Sequence, residues 1–322
     1  FFTMRTAILL ISLAFLLQSA HAFLPCLPSP IPPLVSRSQT LSPSSAPFPR
    51  YTSPRFRPLS LSLSMSTKAK EATKELNKEN EKSRLAYLEE QLLSDLKNAA
   101  ERFENPVFTT ALIAGDDVIL HGINKAGLFD KIKVVFIDTY HLFPETLEFL
   151  ETVEKHYGFK ALRYAPKDCA SPEEFEEKYG DDLFLEDVEE YDRLAKVEPL
   201  LRGLKENKTK LWVNGRRRDH GFERAALEVW EDEKMNPLAY WTFEDCWKYI
   251  RAEGVPYHPL HDDGYPSLGD MHSTLRVDKD KWFQYGMERA GRFQNMQNAD
   301  GSPKTECGIH TVPKTDGSGS GD

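Results

Sequence analysis

Apolar residues fall into two periods along this chain. From Leu85 they recur at Leu88, Leu92, Leu96 and Ala99, the three-and-four spacing that gives a helix one apolar face. Residues 68–84, before them, are mostly Lys, Glu, Asn and Ala and read as a solvated helix or a loose lead-in. The repeat lasts too few turns for a coiled coil, so it predicts a helix on the outside of a domain. Further on, short apolar runs alternate with helical stretches. Val107–Leu112 and Val134–Ile137 are predicted to be buried strands. Asp116-Asp117 starts a helix to Ala126, which Gly127 ends. Pro144 opens another, to Tyr157, because proline is tolerated in a first turn. Ala161–Tyr164, Leu211–Asn214 and Leu227–Trp230 are the remaining candidate strands. Thr242 with Asp245 forms a capping box ahead of a helix over Phe243–Glu253.

This order predicts an α/β fold, a mostly parallel sheet with helices on both faces. Ligands of such sheets sit beyond the carboxyl ends of the strands. That places candidate sites at Ala111–Asp117 and Asp138-Thr139. The expected division is a helical lead-in (68–104), a main domain (105–275), a C-terminal segment (276–311) and a disordered Gly/Ser tail (312–322).

Charge refines the picture. The chain of 322 residues carries a formal −9, but residues 1–67 hold five arginines and no acid. Removing those five leaves 36 basic against 50 acidic residues, a balance of −14. So acidic a body repels nucleic-acid phosphate, and a phosphate-bearing ligand needs a local cationic pocket. At the N-terminus, Arg5, the apolar run Ala7–Leu17 and Ala20-His21-Ala22 predict a signal peptide over 1–22. The run is too short for a stable membrane anchor, so no membrane association of the mature form is expected. Residues 23–67, rich in Ser, Pro and Arg, have transit-peptide composition. Signal peptide, Phe23 and transit-like segment together resemble the bipartite plastid presequences of algae with secondary plastids, and a plastid destination is expected.

Beyond Cys26, the chain keeps Cys169, Cys246 and Cys307, too few and too odd a set for a secreted disulfide framework. Cys307 has Lys304 three residues before it and His310 three after. Cationic neighbours favour a nucleophilic thiolate, and Gly308 permits close approach. A small buried cysteine in a C-terminal extension fits the same residues.

A set of segments decides between these readings. In order they are Phe136-Ile-Asp-Thr-Tyr-His-Leu-Phe-Pro-Glu-Thr146, Lys196-Val-Glu-Pro-Leu200, Trp212-Val-Asn-Gly-Arg-Arg-Arg-Asp219 with Arg224, Asn236-Pro-Leu-Ala-Tyr-Trp241, Tyr257-His-Pro-Leu-His-Asp-Asp-Gly-Tyr-Pro-Ser267, Arg289-Ala-Gly-Arg292 and Glu306-Cys-Gly-Ile-His310. Over residues 105–311 the chain thereby resembles the phosphoadenylyl-sulfate and adenylyl-sulfate reductases. The resemblance implies an adenine nucleotide α-hydrolase-like fold and a mobile C-terminal segment. It implies that Cys307 attacks the sulfur of adenylyl sulfate, with or without a 3′-phosphate, leaving an S-sulfocysteine from which thioredoxin releases sulfite. Lys196, Arg289, Arg292 and His310 map to the cationic set around the sulfate, where Arg suits forked contact with oxygens. Gly115, Asp117, Thr139, Gly215, Arg216 and Arg224 map to the nucleotide. Of Arg216–Arg218, one or two are expected to face solvent. His141 and Glu145 read first as packing and capping residues. A homodimer is the family's expected assembly. A non-redox adenine-nucleotide-binding protein of the same superfamily is the alternative function.

Two departures stand out. Iron–sulfur members carry Cys-Cys before the segment that here starts at Lys196, and Cys-x-x-Cys after the Tyr-Pro-Ser segment. The residues here are Tyr191-Asp192 and Asp270-Met-His-Ser273, so no cluster is expected. His258, His261 and His272 with Asp262 and Asp270 could suggest a metal site, but the resemblance accounts for that segment without metal. The phosphate loop, Ala111-Leu-Ile-Ala-Gly-Asp-Asp117, keeps only Gly115 and the acidic pair of the family's pattern.

Overall fold

The computed structural model describes residues 67–294 and 296–310. The predicted signal peptide, the transit-like segment up to residue 66 and the tail lie outside the described residues. The first helix, α1 (Thr67–Arg102), runs for 36 residues and buries Leu88, Leu92, Leu96 and Ala99, the face set by the spacing. Leu92 and Leu96 rest on Gly122, where an added Cβ would lie 3.0 Å from both side chains. A missing side chain thus lets two helices close up.

The sheet follows the predicted order. β1 (Pro106–Thr110) leads into α2 (Ala114–Lys125), β2 (Lys133–Ile137) into α3 (Pro144–Tyr157), and β3 (Leu162–Tyr164) follows. Gly127 ends the α2 connection at φ 66° and Gly158 caps α3 at φ 72°. A helical run then comprises α4 (Pro172–Tyr179), α5 (Leu183–Glu186), α6 (Val188–Asp192), a π turn (Arg193–Val197) and α7 (Glu198–Glu206). The π turn has a local cause. Glu198 N–H reaches Arg193 O, five residues back, and Pro199 next to it has no N–H to draw the run into the four-residue pattern. Such turns often mark functional sites, and this one carries Lys196.

After β4 (Leu211–Val213), the chain makes β5 (Trp230–Glu231), β6 (Lys234–Met235) and α8 (Phe243–Glu253). The sheet order is β3-β2-β1-β4-β6-β5, parallel except for the β5–β6 pair. The predicted Thr242–Asp245 capping box is present. Two strand expectations need correction. β1 stops at Thr110, because Leu112 takes φ 57°, a left-handed conformation that no strand continues. Leu227–Trp230 is not a strand. The chain there follows a 3-10 turn (Phe222–Ala226), and pairing begins only at Trp230, in a two-residue antiparallel hairpin on the sheet edge. Among the described residues no helix is long and apolar enough to cross a membrane.

Candidate active site

Thr109–Ala111, Ile137, Thr139, Asn214 and Gly215 line one cleft at the carboxyl ends of β1, β2 and β4. The side chains at its far wall come from distant sequence. Lys196, Arg216, Arg224, Arg289, Arg292 and Cys307 all face it.

Lys196 is buried and makes ion pairs with Asp192 Oδ1 at 2.7 Å and Asp270 Oδ2 at 2.8 Å. Burial works against its charge, but Asp270, Asp192 and Cys307 outweigh it and hold the ammonium above its usual range. Asp270 is buried too, yet Lys196 and His272 keep it well below the usual carboxylate range. Thr139 Oγ1 donates to Asp270 Oδ1 at 2.5 Å. Thr139 therefore both lines the cleft and fixes the carboxylate that fixes Lys196.

The chain that carries Cys307 is docked against this set. Glu306 takes a forked contact from Arg224, Nε to Oε1 at 2.5 Å and Nη2 to Oε2 at 2.6 Å. Arg289 Nη2 lies 3.4 Å from Oε2 and donates to Thr305 O at 3.0 Å. Burial and the neighbouring Arg224 lower the Arg289 pKa; burial lowers that of Arg292 as well. Arg292 donates to Leu268 O at 2.5 Å. On the other side, Asp192 Oδ2 accepts from Lys304 Nζ at 2.8 Å and from Gly308 N–H at 2.9 Å. Cys307 is half-buried between these anchors. Gly308–His310 form a 3-10 turn; the His310 side chain lies outside the description.

The nucleotide-side expectations divide. Gly215 and Thr139 line the cleft. Gly215, however, is there for Asp116: a Cβ at Gly215 would sit 2.2 Å from Asp116 Oδ1. Asp117 was the wrong member of its pair. Successive helix residues point about 100° apart, and it is Asp116 that faces the cleft and accepts from Ala111 N–H at 2.7 Å. Asp117 is sealed inside, its pKa driven far up by burial and by Asp116. Gly115 does not line the cleft; a Cβ there would meet Arg217 Nη1 at 2.8 Å.

Of the three arginines, Arg216 faces the cleft while bonding Asn214 and Glu231. Arg217 is fully buried, in contact with Glu288 and Asp219. Only Arg218 turns outward, to Glu228 and Leu227 O. His220, against Glu288, is kept neutral by burial and the surrounding arginines. His141 makes a short bond to Thr139 O and ring contacts with Phe175 and Tyr191, a packing role as expected.

Asp116 gives a pH prediction. Burial raises its pKa from 3.8 to about 7. A raised acid contributes stability at low pH and loses it as pH climbs through the folded value. Asp116→Asn cannot ionise and keeps an acceptor for Ala111 N–H. Its unfolding free energy relative to the parent should rise by about 2–4 kcal/mol between about pH 5 and pH 8.5. Urea melts at both pH values check this, and a pH-independent difference would count against it.

The positions of the iron–sulfur ligands do come together here, with different chemistry. His272 stacks on Phe184 (ring centroids 3.9 Å) and meets Tyr191 edge-on at 5.1 Å. Burial holds His272 down to about 4, so it is neutral. Rings and the Asp192–Lys196–Asp270 pairs fill the place, and no thiol is among these four residues; they do not fit a cluster. His258 is occupied on both ring nitrogens by Thr146 and Leu260 N–H, and His261 Nδ1 meets Tyr265 O. The sequence marks Asp192 only as a missing cysteine and Asp270 as that or a metal-group member, and nothing in it marks Glu306 as a partner of arginines. The Asp192/Lys196 spacing of four on one helical run was the available signal.

Comparison with known proteins agrees with this geometry. Residues 105–276 match the family model of the phosphoadenosine phosphosulfate reductase domain. Phosphoadenosine phosphosulfate reductase of Emericella nidulans is 40% identical over 185 residues, 56% of this chain and 57% of that protein. The Saccharomyces cerevisiae protein of that name is 43% identical over 192 residues, 56% and 69% of the two chains. Adenosine 5′-phosphosulfate reductase of Allochromatium vinosum is 37% identical over 227 residues, 67% and 82%. The crystal structure of phosphoadenylyl-sulfate reductase from Candida auris, in a phosphate complex, superposes with a TM-score of 0.52 at 33% identity, covering 66% of this chain and 99% of that one. The chain belongs to the phosphoadenosine phosphosulfate reductase family.

Proposed function

We propose that this chain reduces an adenylyl sulfate nucleotide to sulfite in sulfate assimilation, with Cys307 as nucleophile and thioredoxin as reductant. The observation that carries this is the meeting of Cys307 with Lys196, Arg289 and Arg292 in one cleft at the strand ends. A sulfonyl centre surrounded by anionic oxygens repels a thiolate until cations offset its charge, and these three supply them. The Cys307 sulfur forms a bond to the sulfate sulfur. The sulfur–oxygen bond to the adenosine phosphate breaks, and the nucleotide leaves with the electron pair. A thioredoxin thiolate then attacks Cys307 Sγ, and sulfite leaves with the pair of the sulfur–sulfur bond. The second thioredoxin thiol resolves the mixed disulfide and returns Cys307 to its reduced state, so thioredoxin is the group oxidised.

Arg224 and Arg216 are suited to the nucleotide's phosphate, and Thr139 with Gly215 to its approach. The reaction runs without an iron–sulfur cluster, a reading supported by the phenol, two carboxylates and hydroxyl that Tyr191, Asp192, Asp270 and Ser273 bring to the four ligand positions. A plastid setting is proposed from the composition of residues 23–67. The experiment is sulfite release from purified protein with thioredoxin, using adenylyl sulfate and its 3′-phosphorylated form in turn. Turnover of one or both is expected, and their ratio identifies the substrate. Negligible rates with both would refute the function; absorbance near about 400 nm would refute the cluster-free reading.

A further inference from the structure

The Cys307 segment is held by two anchors of opposite kind. Glu306 rests on Arg224 and Arg289, cations that the proposed nucleotide would itself require. Asp192 also pairs with one such cation, Lys196, but it holds the segment through Lys304 and Gly308, which do not line the cleft. Its carboxylate is 3% exposed and takes three partners at once: Lys196 Nζ at 2.7 Å, Lys304 Nζ at 2.8 Å and Gly308 N–H at 2.9 Å. Two of these flank Cys307 in sequence and the third is the cleft's own lysine. Burial alone would raise the Asp192 pKa, yet the two lysines lower it; the group is an anion in the fold.

We propose that Asp192 is the positioning residue that seats Cys307 in the cleft. One carboxylate fixes Lys196 and, through Lys304 and Gly308, the thiol on either side. The distance between nucleophile and cation is therefore set by one atom group and not by two independent loops. Charge-assisted contacts to a buried carboxylate are the strong kind, and three sharing one anion make their geometry interdependent. The Arg224–Glu306 contact can be given up to an incoming anion while this one persists. The proposal deepens the reductase reading, but its main test needs no nucleotide.

The test is alkylation of Cys307 by iodoacetamide in the full chain without nucleotide, read by peptide mass. Rates are followed from about pH 6 to pH 10, so that the high-pH plateau, which reports access, is separated from titration of the thiol. Asp192→Asn should raise the plateau rate about tenfold or more, the factor expected for losing one charge-assisted contact. Lys304→Gln breaks only the segment's side and leaves the Asp192–Lys196 pair, so it should raise the plateau similarly. In sulfite release, both variants should lower kcat by at least about tenfold and change KM by less than about threefold. Asp192→Glu should recover part of the loss. Unchanged plateau rates in folded Asp192→Asn and Lys304→Gln would overturn the proposal, because Glu306 would then suffice. Should Asp192→Asn not fold, Lys304→Gln decides alone. Faster alkylation with no sulfite release from the parent chain would sink the reductase reading and leave the positioning role standing.

Discussion

Cys307→Ser is expected to abolish sulfite release, by about 10⁴-fold or more, while nucleotide affinity stays within about threefold. The serine hydroxyl nearly matches the thiol in size, and Cys307 is only half-buried, so the fold should not notice. What changes is the reacting atom: a hydroxyl is almost wholly protonated at neutral pH and forms no intermediate that a thioredoxin thiol can reduce. Among the described residues no other cysteine can stand in. Cys246 is sealed in α8 with its thiol pushed up to about 12 by burial, and Cys169 lies in a separate cluster with Phe175 and Tyr191. The check is sulfite release beside calorimetric titration of nucleotide. Residual turnover above about a hundredth of the parent rate would contradict the assigned nucleophile.

Lys196→Met should combine a large loss of activity with a large loss of stability. Its ammonium neutralises two carboxylates that are almost fully buried. Removing one partner of such a pair typically costs about 3–5 kcal/mol, because the orphaned charge stays in place. Asp192 would keep Lys304, and Asp270 would keep Thr139 Oγ1 and the neighbouring His272. Sulfite release should fall about 10²- to 10³-fold from the missing cation. The two effects separate in the double variant Lys196→Met with Asp270→Asn. Stability should return substantially, since the uncompensated carboxylate is gone, while activity should not. Recovery of both would make Lys196 a structural residue only.

Much of the fold was legible in the sequence. α3 and α8 were readable to the residue because Pro144 and the Thr242–Asp245 box are local signals with local causes. The Leu227–Trp230 error arose where apolar residues fill an irregular loop: periodicity over four residues does not separate a strand from a packed turn. Lys196, Arg289, Arg292 and Cys307 reached the cleft as expected, because their motifs travel with chemistry. Asp117 did not, since adjacent residues on a helix diverge in direction and sequence alone does not say which one faces in. The carboxylates Asp192, Asp270 and Glu306 were hidden for another reason. Asp270 and Glu306 act through cations far away in sequence, as Asp192 does through Lys304, and pairing at that range is a property of the fold.

The presence of Tyr191, Asp192, Asp270 and Ser273, and of no thiol, at the ligand positions bears on oxygen. A thiolate-bound iron centre offers an oxidant several sulfurs and a metal at once. Carboxylates, a lysine and neutral rings offer it none, and Cys246 is sealed from solvent. At this cleft, oxidative damage reduces to the fate of one sulfur. A disulfide or sulfenic acid on Cys307 lies on the reversible rungs of thiol oxidation, and the dithiol proposed as its reductant is the kind of reagent that would clear it.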